Sequence, residues 1–220
     1  MPVPKERAPG AVGRPGYDLD SLLAVVVTVF NERGYDGTSM EDLSARLGIS
    51  KSSIYHHVSG KSELLRLSVD RALDALTAVT SEPRATNGPA IDRLEHVIRR
   101  SVEVLVTELP YVTLLLRVRG NTPVERRALA RRREVDSHVG RLVLAASREG
   151  SLRPGVDPAL TSRLVFGTVN SVIEWYRPER GPGVDTLADA IIAMVLDGLR
   201  MPAAAPPAAP PTAPPTDGQA

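Results

Sequence analysis

Apolar residues recur every three to four positions along most of the chain and nowhere alternate with a period of two, so the sequence reads as helices without a sheet. Leu19, Leu22, Leu23, Val26, Val27 and Phe30 line one face of a helix over 18–33, and Gly34 ends it. Thr38 followed by Glu41 has the form of a capping box and starts a second, short helix. Gly48 marks a tight turn, where a left-handed backbone is often required. Ser50 is a natural N-cap for a third helix, and Ser59 for a fourth running from Lys61 through Leu64, Leu67 and Leu73 to about Val79. Residues 83–89, bounded by prolines, read as a break.

The next stripe, Ile91, Leu94, Ile98, Val102 and Leu105, is interrupted at Pro110. A long helix is predicted over 123–148, stopped by Gly150, then another over 159–176, ended before Pro178. The last, 186–199, carries Leu187, Ile191, Val195 and Leu199 on one stripe. The expected fold is all-α: an N-terminal three-helix helix-turn-helix domain over 17–66 and a helical body over 67–200. Residues 1–16 hold Lys5, Arg7 and Arg14 among Pro and Gly, and read as a disordered basic arm, either a solvated tail or a minor-groove arm. Residues 201–220, rich in Pro and Ala, read as a disordered tail, partly polyproline II.

Composition narrows the chemistry. The 220 residues are 42% hydrophobic but only 4% aromatic, which suits a core of Leu, Val, Ile and Ala. With no cysteine, disulfides and thiolate metal sites are excluded. The N-terminus has no apolar h-region of a signal peptide, and no apolar run reaches the roughly 18 residues of a membrane span. A soluble, cytoplasmic protein is expected. The net charge of +1 argues neither for nor against nucleic acid, but 44–62 holds Arg46, Lys51 and Lys61 with no acid among them. A small positive face beside a groove-reading helix is what phosphate contacts require.

The most informative stretch is Gly34 to Leu65, GYDGTSMEDLSARLGISKSSIYHHVSGKSELL. A short helix, a turn at Gly48 and a second short helix form the layout that lays the second helix in the DNA major groove. Leu43, Leu47, Ile49 and Ile54 would clamp the two helices, with the small Ser44 at their approach. The exposed face of the second is then Lys51, Ser52, Ser53, Tyr55 and His56, in which Lys can donate to guanine and Ser to several base edges.

Gly34, Thr38, Leu43, Leu47, Gly48, Ile49, Ile54, Tyr55, His57, Lys61 and Leu64 resemble the DNA-binding signature of the TetR family of bacterial transcriptional repressors, and the match covers roughly 17–66. Val58 stands where the family often has Phe. The resemblance implies an all-helical homodimer on double-stranded DNA, with a variable ligand-binding domain behind the head. It implies base contacts from Lys51, Ser52, Ser53 and His56, and phosphate or groove-wall contacts from Thr38, Tyr55, His57 and Lys61. Thr38 also serves as a plain N-cap, and His57 reads equally as a packing residue between helices. Two adjacent histidines point in different directions on a helix, so no metal site is expected.

In the body two features stand out: the arginines Arg117, Arg119, Arg126, Arg127, Arg131, Arg132 and Arg133, and the segment Asn170 to Pro178, which holds the only Trp. Alone, the first reads as a solvated helix face and the second as core or dimer packing. Together, apolar walls with guanidinium groups suit an apolar acid or its phosphate-bearing thioester. The Asn170 to Pro178 segment is similar to TetR-family regulators of fatty acid, aromatic acid and steroid breakdown, several of which respond to acyl-CoA. That resemblance makes Asn170, Trp175 and Arg177, with Arg117, candidate effector residues; no cofactor is expected beyond such an effector.

The family dimerises through its last two long helices, which assigns Leu164, Gly167, Leu187, Ile191 and Val195 (with Ala193) to a tight interface. Two recognition helices about 34 Å apart predict a palindromic operator. Effector binding would favour a dimer whose heads are wrongly spaced for successive grooves.

An enzyme is not expected. The GKS at 60–62 would place the first glycine of a phosphate loop at Tyr55, no strand precedes it, and no HExxH, GxSxG or CxxC occurs. The remaining alternatives are a helical ligand-binding protein with little DNA binding, and a transcriptional activator.

Overall fold

A computed structural model describes residues 18–200, so the expected basic arm and Pro/Ala tail lie outside the described residues. Within them the chain forms ten helices: α1 (Leu19–Arg33), α2 (Met40–Leu47), α3 (Lys51–Tyr55), α4 (Lys61–Val79), α5 (Pro83–Thr86), α6 (Ala90–Thr107), α7 (Leu109–Arg117), α8 (Pro123–Arg148), α9 (Pro158–Trp175) and α10 (Val184–Leu196). The only β pairing among the described residues is an isolated bridge between Leu152 and Arg200. The fold is all-α: a helix-turn-helix head followed by a helical body.

Local chemistry sets the helix ends. Asp18 caps α1 by accepting from the Ser21 amide at 2.7 Å. Gly48 takes φ 67°, ψ 28° after α2, the left-handed turn expected of it. Thr122 and Glu125 form a reciprocal capping box on α8, with Pro123 in its first turn. Asp157 caps α9 at Leu160, followed by Pro158.

Several expected ends move. The capping box of α2 is Ser39 with Asp42, one residue on from Thr38 with Glu41. The Thr38 hydroxyl instead donates to the Gly34 carbonyl at 2.7 Å, and the residue is buried. Ser59 does not cap α4: its amide and hydroxyl both donate to the Glu63 carboxylate, and the N-cap is Gly60. Pro110 does not end helical structure. α6 stops at Thr107, and Pro110 lies in the first turn of a further helix, α7, where its missing N–H leaves no bond unmade. Pro83 likewise opens the single-turn α5. On α1, Leu19 is 36% exposed and stands outside the stripe.

The two parts share one apolar core. Leu22, Val26 and Phe30 of α1, Leu43 of α2 and Ile54 of α3 pack in the same cluster as Leu94, Leu115 and Val139 of the body. α4 joins them: Leu64 and Leu65 are fully buried near its start and Leu73 further along. It packs on α1, α6, α7 and α8, while α7 packs on α1 and α4. The boundary expected at 66/67 thus falls inside a continuous helix. Leu64→Ala leaves a cavity at this junction and is expected to destabilise the protein by about 3 kcal/mol in denaturant unfolding.

Candidate nucleic-acid interface

The head is built on α2 and α3. Ser44 donates from its hydroxyl to the Ile49 carbonyl at 2.5 Å across the turn, while Leu43, Leu47 and Ile54 are buried beneath. Ser50 caps α3, accepting from the Ser53 amide at 3.2 Å. Its hydroxyl also lies 2.8 Å from that of Ser52 and 2.9 Å from that of Ser53, so the three hydroxyls form one network at the start of the helix. Lys51, Ser52, Tyr55, His56 and His57 are exposed, Tyr55 with half its surface in solvent, and Ser53 is partly covered. His57 is therefore not a packing residue between helices.

The charges are arranged differently from a bare positive face. Lys51 pairs with Glu41 of α2, and Arg46 with Glu32 at 3.3 Å. The Lys51 contact holds the Glu41 carboxyl below its usual range, and Glu41 raises the Lys51 ammonium above its own. Both partners are well exposed, so the pair is weak.

Lys61 sits elsewhere. Its ammonium donates to the carbonyls of Tyr35 (2.9 Å) and Thr38 (2.8 Å) and lies 4.3 Å from the centre of the Tyr35 ring. Tyr35 in turn meets Phe30 edge to face at 5.5 Å. Burial pushes the Tyr35 phenol above its usual range. Lys61 thus ties the loop between α1 and α2 to the start of α4, and Thr38 lies inside that tie. The sequence pattern did not mark Tyr35 and marked Glu41 only as a capping residue, because both act through contacts between segments apart in sequence.

In the body the effector candidates do not converge. Among α4, α6, α7, α8 and α9 lies an apolar chamber walled by Leu76, Leu105, Leu115 and Phe166, with Arg132, Asp136 and Asn170 at its polar side. Burial pushes the Asp136 carboxyl above its usual range, and the neighbouring Arg132 pulls it part of the way back. Only Asn170 of the four candidates reaches this chamber. Arg117 donates to the Asn31 carbonyl at 2.9 Å, at the junction with the head. Trp175 is 54% exposed, and Arg177 donates to the carbonyls of Tyr176 and Glu174, closing the end of α9. Arg132 stood in the arginine run without being singled out and Asp136 was missed; they sit one helical turn apart on α8, but that spacing alone does not separate a chamber wall from a solvated face.

The assigned interface residues divide. Leu164 is 62% exposed and Gly167 is exposed too, whereas Leu187 and Ile191 are buried in the chain's own core and Val195 is partly covered. Leu187 and Ile191 face inward because α10 packs on α6. The large exposed apolar residues on these two helices are Leu160, Leu164 and Trp175 of α9 and Met194 of α10. Among the described residues no group of three or more His, Asp or Glu side chains could hold a metal ion, and no helix is long and apolar enough to cross a membrane.

Comparison with known proteins places this geometry. Residues 22–67 match the family described as bacterial regulatory proteins, tetR family, and 87–199 match the tetracyclin repressor-like C-terminal domain. The chain is 28% identical to the HTH-type transcriptional repressor KstR2 of Rhodococcus jostii over 206 residues, covering 91% of this chain and 98% of that protein. It also resembles the crystal structure of SCO3833, a TetR-family member from Streptomyces coelicolor A3: TM-score 0.77, 59% identity, 82% of this chain and 91% of that one. The fold is shared with AibR in complex with isovaleryl coenzyme A and operator DNA, at TM-score 0.69 and 23% identity over 80% of this chain and 97% of that one.

Lys61→Met removes the tie to Tyr35 and Thr38 and is expected to lower thermal stability by about 2 kcal/mol. Lys51→Ala is expected to leave thermal stability unchanged, a contrast that calorimetry on the two variants resolves.

Proposed function

Because the chain belongs to the TetR family of bacterial transcriptional regulators, we propose that it acts as a repressor that binds a palindromic operator as a homodimer and is released by a small effector, an apolar acid or its acyl-CoA thioester. It is a regulator and not an enzyme. The observation that carries the reading is the exposed face of α3, where Lys51, Ser52, Tyr55 and His56 stand free of the core on a helix anchored through Ile54. With Ser53 and His57 at its edges, that face has the donors for base edges and phosphates. Thr38 and Lys61 serve it indirectly, by holding the loop between α1 and α2.

The dimer is supported by the stripe Leu160, Leu164, Gly167 and Trp175 on α9 with Met194 on α10, an exposed apolar band with a glycine at its middle. Such a band favours a partner that removes it from water. In this reading Leu187 and Ile191 support the interface from behind.

The effector is read from the chamber. Its walls are apolar and its polar side has one guanidinium, one carboxyl and one carboxamide, a pattern that orients a small, mostly apolar ligand. AibR, which shares the fold, is known with isovaleryl coenzyme A and operator DNA. The chamber has about 30 Å³ of free room, little more than a water molecule needs, so an effector enters by displacing its walls. α7 forms one wall and packs on α1, so displacement there reaches the head. A location in the cytoplasm, on the nucleoid, follows from this role.

Lys51→Ala and Tyr55→Ala are expected to weaken operator binding roughly tenfold each without unfolding the protein, with Lys51→Ala also flattening the salt dependence by about one unit of slope per subunit. Titrations at two salt concentrations check this, and unchanged affinity would remove α3 as the reading helix. Leu164→Glu is expected to turn the dimer into a monomer in sedimentation and to abolish tight operator binding; a dimer that survives it would place the interface elsewhere.

A further inference from the structure

A second and larger cavity lies outside the chamber, between head and body. This cleft of about 680 Å³ is bounded by the end of α1 and the following loop on one side, and by the end of α7 and the loop to α8 on the other. Three guanidiniums, Arg33, Arg117 and Arg119, line it. Arg33 is paired with Asp42 at 3.4 Å, and Arg117 uses one N–H on the Asn31 carbonyl. Arg119 is exposed and has no hydrogen-bond or ion-pair partner among the described residues. A fourth, Arg126, stands beside the rim with its guanidinium on the carbonyls of Gly120 and Asn121. The acids in the wall are Asp36, which is exposed, and Glu125, whose carboxylate is held by the Thr122 amide at 3.0 Å.

Two details connect this cleft to the chamber. Leu116 lines both, so α7 is a partition one helix thick. In the cleft wall the side-chain oxygen of Asn31 is buried without a donor, while its amide nitrogen donates to the Pro110 carbonyl at 2.8 Å. The site therefore offers guanidiniums for an anion, an acceptor for an N–H group, and an apolar wall at Leu116 that it shares with the chamber.

We propose that the cleft between head and body seats the phosphate-bearing end of an acyl-thioester effector, with the acyl end entering the chamber beside Leu116. The acyl half rests on the effector reading given above; the phosphate half rests on the guanidiniums of the cleft. Phosphates make charge-assisted, bidentate bonds to arginine that are stronger than a bond to a neutral carbonyl. A phosphate in the cleft draws Arg117 away from Asn31 and so loosens one of the contacts that hold α1 of the head against α7 of the body. The effector would then act on the junction directly, as well as through the chamber wall.

Isothermal titration of the full chain tests this with isovaleryl-CoA, isovalerate, free coenzyme A and pyrophosphate as probes. Wild type is expected to bind the thioester and free coenzyme A saturably. Arg119→Glu is expected to weaken both roughly tenfold or more while leaving isovalerate binding unchanged. Arg148→Glu, an equal charge reversal at the far end of α8 and outside both cavities, is expected to leave all probes unchanged. The proposal is overturned if wild type binds neither coenzyme A nor its thioester, if it binds only pyrophosphate, if Arg119→Glu has no effect, or if Arg148→Glu weakens binding equally. Operator binding by the same preparation is measured in parallel: operator and isovalerate binding without coenzyme A binding removes the cleft and leaves the regulator reading intact.

Discussion

The structure depends on α4 being one unbroken helix through both parts of the molecule. Its nineteen residues span about 28 Å, from the Lys61 contacts with the head loop to Leu73 and Leu76 in the body. Leu64 and Leu65 are fully buried where it leaves the head, so the junction is part of the core and not a flexible linker. A head mounted this way moves only with the helices packed on it. Those are α1, whose last turn is tied to the body through Asn31, Pro110 and Arg117, and α7, which lies against both α1 and α4. The chamber and the cleft flank that same α7, so in the proposed reading ligand and head position meet on one short helix.

The electrostatics of the head follow a different logic from the core. Arg33, Arg46 and Lys51 each have an acidic partner, and Lys61 is held by carbonyls. None of the three ion pairs is buried, so each contributes little to stability and its cation is available to a stronger anion. Of the three, only the Lys51 pair orders a side chain of α3, and in the proposed reading it gives way to DNA phosphates. The serines at the start of α3 work similarly: the Ser50 hydroxyl orders Ser52 and Ser53, which keeps short polar groups at the tip of the reading helix.

Much of the head was legible in the sequence. The apolar clamp of Leu43, Leu47 and Ile54, the left-handed Gly48 and the Ser50 cap are local features, and their spacing determines them. The shift from Thr38 to Ser39 arose because the TSMED segment fits the capping pattern in two registers, and the bond of the Thr38 hydroxyl back to the Gly34 carbonyl in the preceding turn removes Thr38 from the choice. α7 was missed because proline is a breaker inside a helix but a neutral residue in its first turn, and the end of α6 at Thr107 sets which applies. In the body, periodicity finds an apolar stripe without saying what covers it. Leu187 and Ile191 share a stripe that α6 buries, whereas Leu164 is left exposed on α9. The chamber joins residues from five helices, so no local pattern points to Arg132 and Asp136 together.

The central claim is that two such heads, held by one dimer, read two half-sites of DNA. The most direct test is selection of random duplex DNA on the purified protein, followed by sequencing of what it retains. The account predicts a palindromic consensus whose half-sites lie about one helical turn, or a whole multiple of it, apart, bound with a steep dependence on salt. Retention of no sequence over another, with weak binding even at low salt, would contradict it.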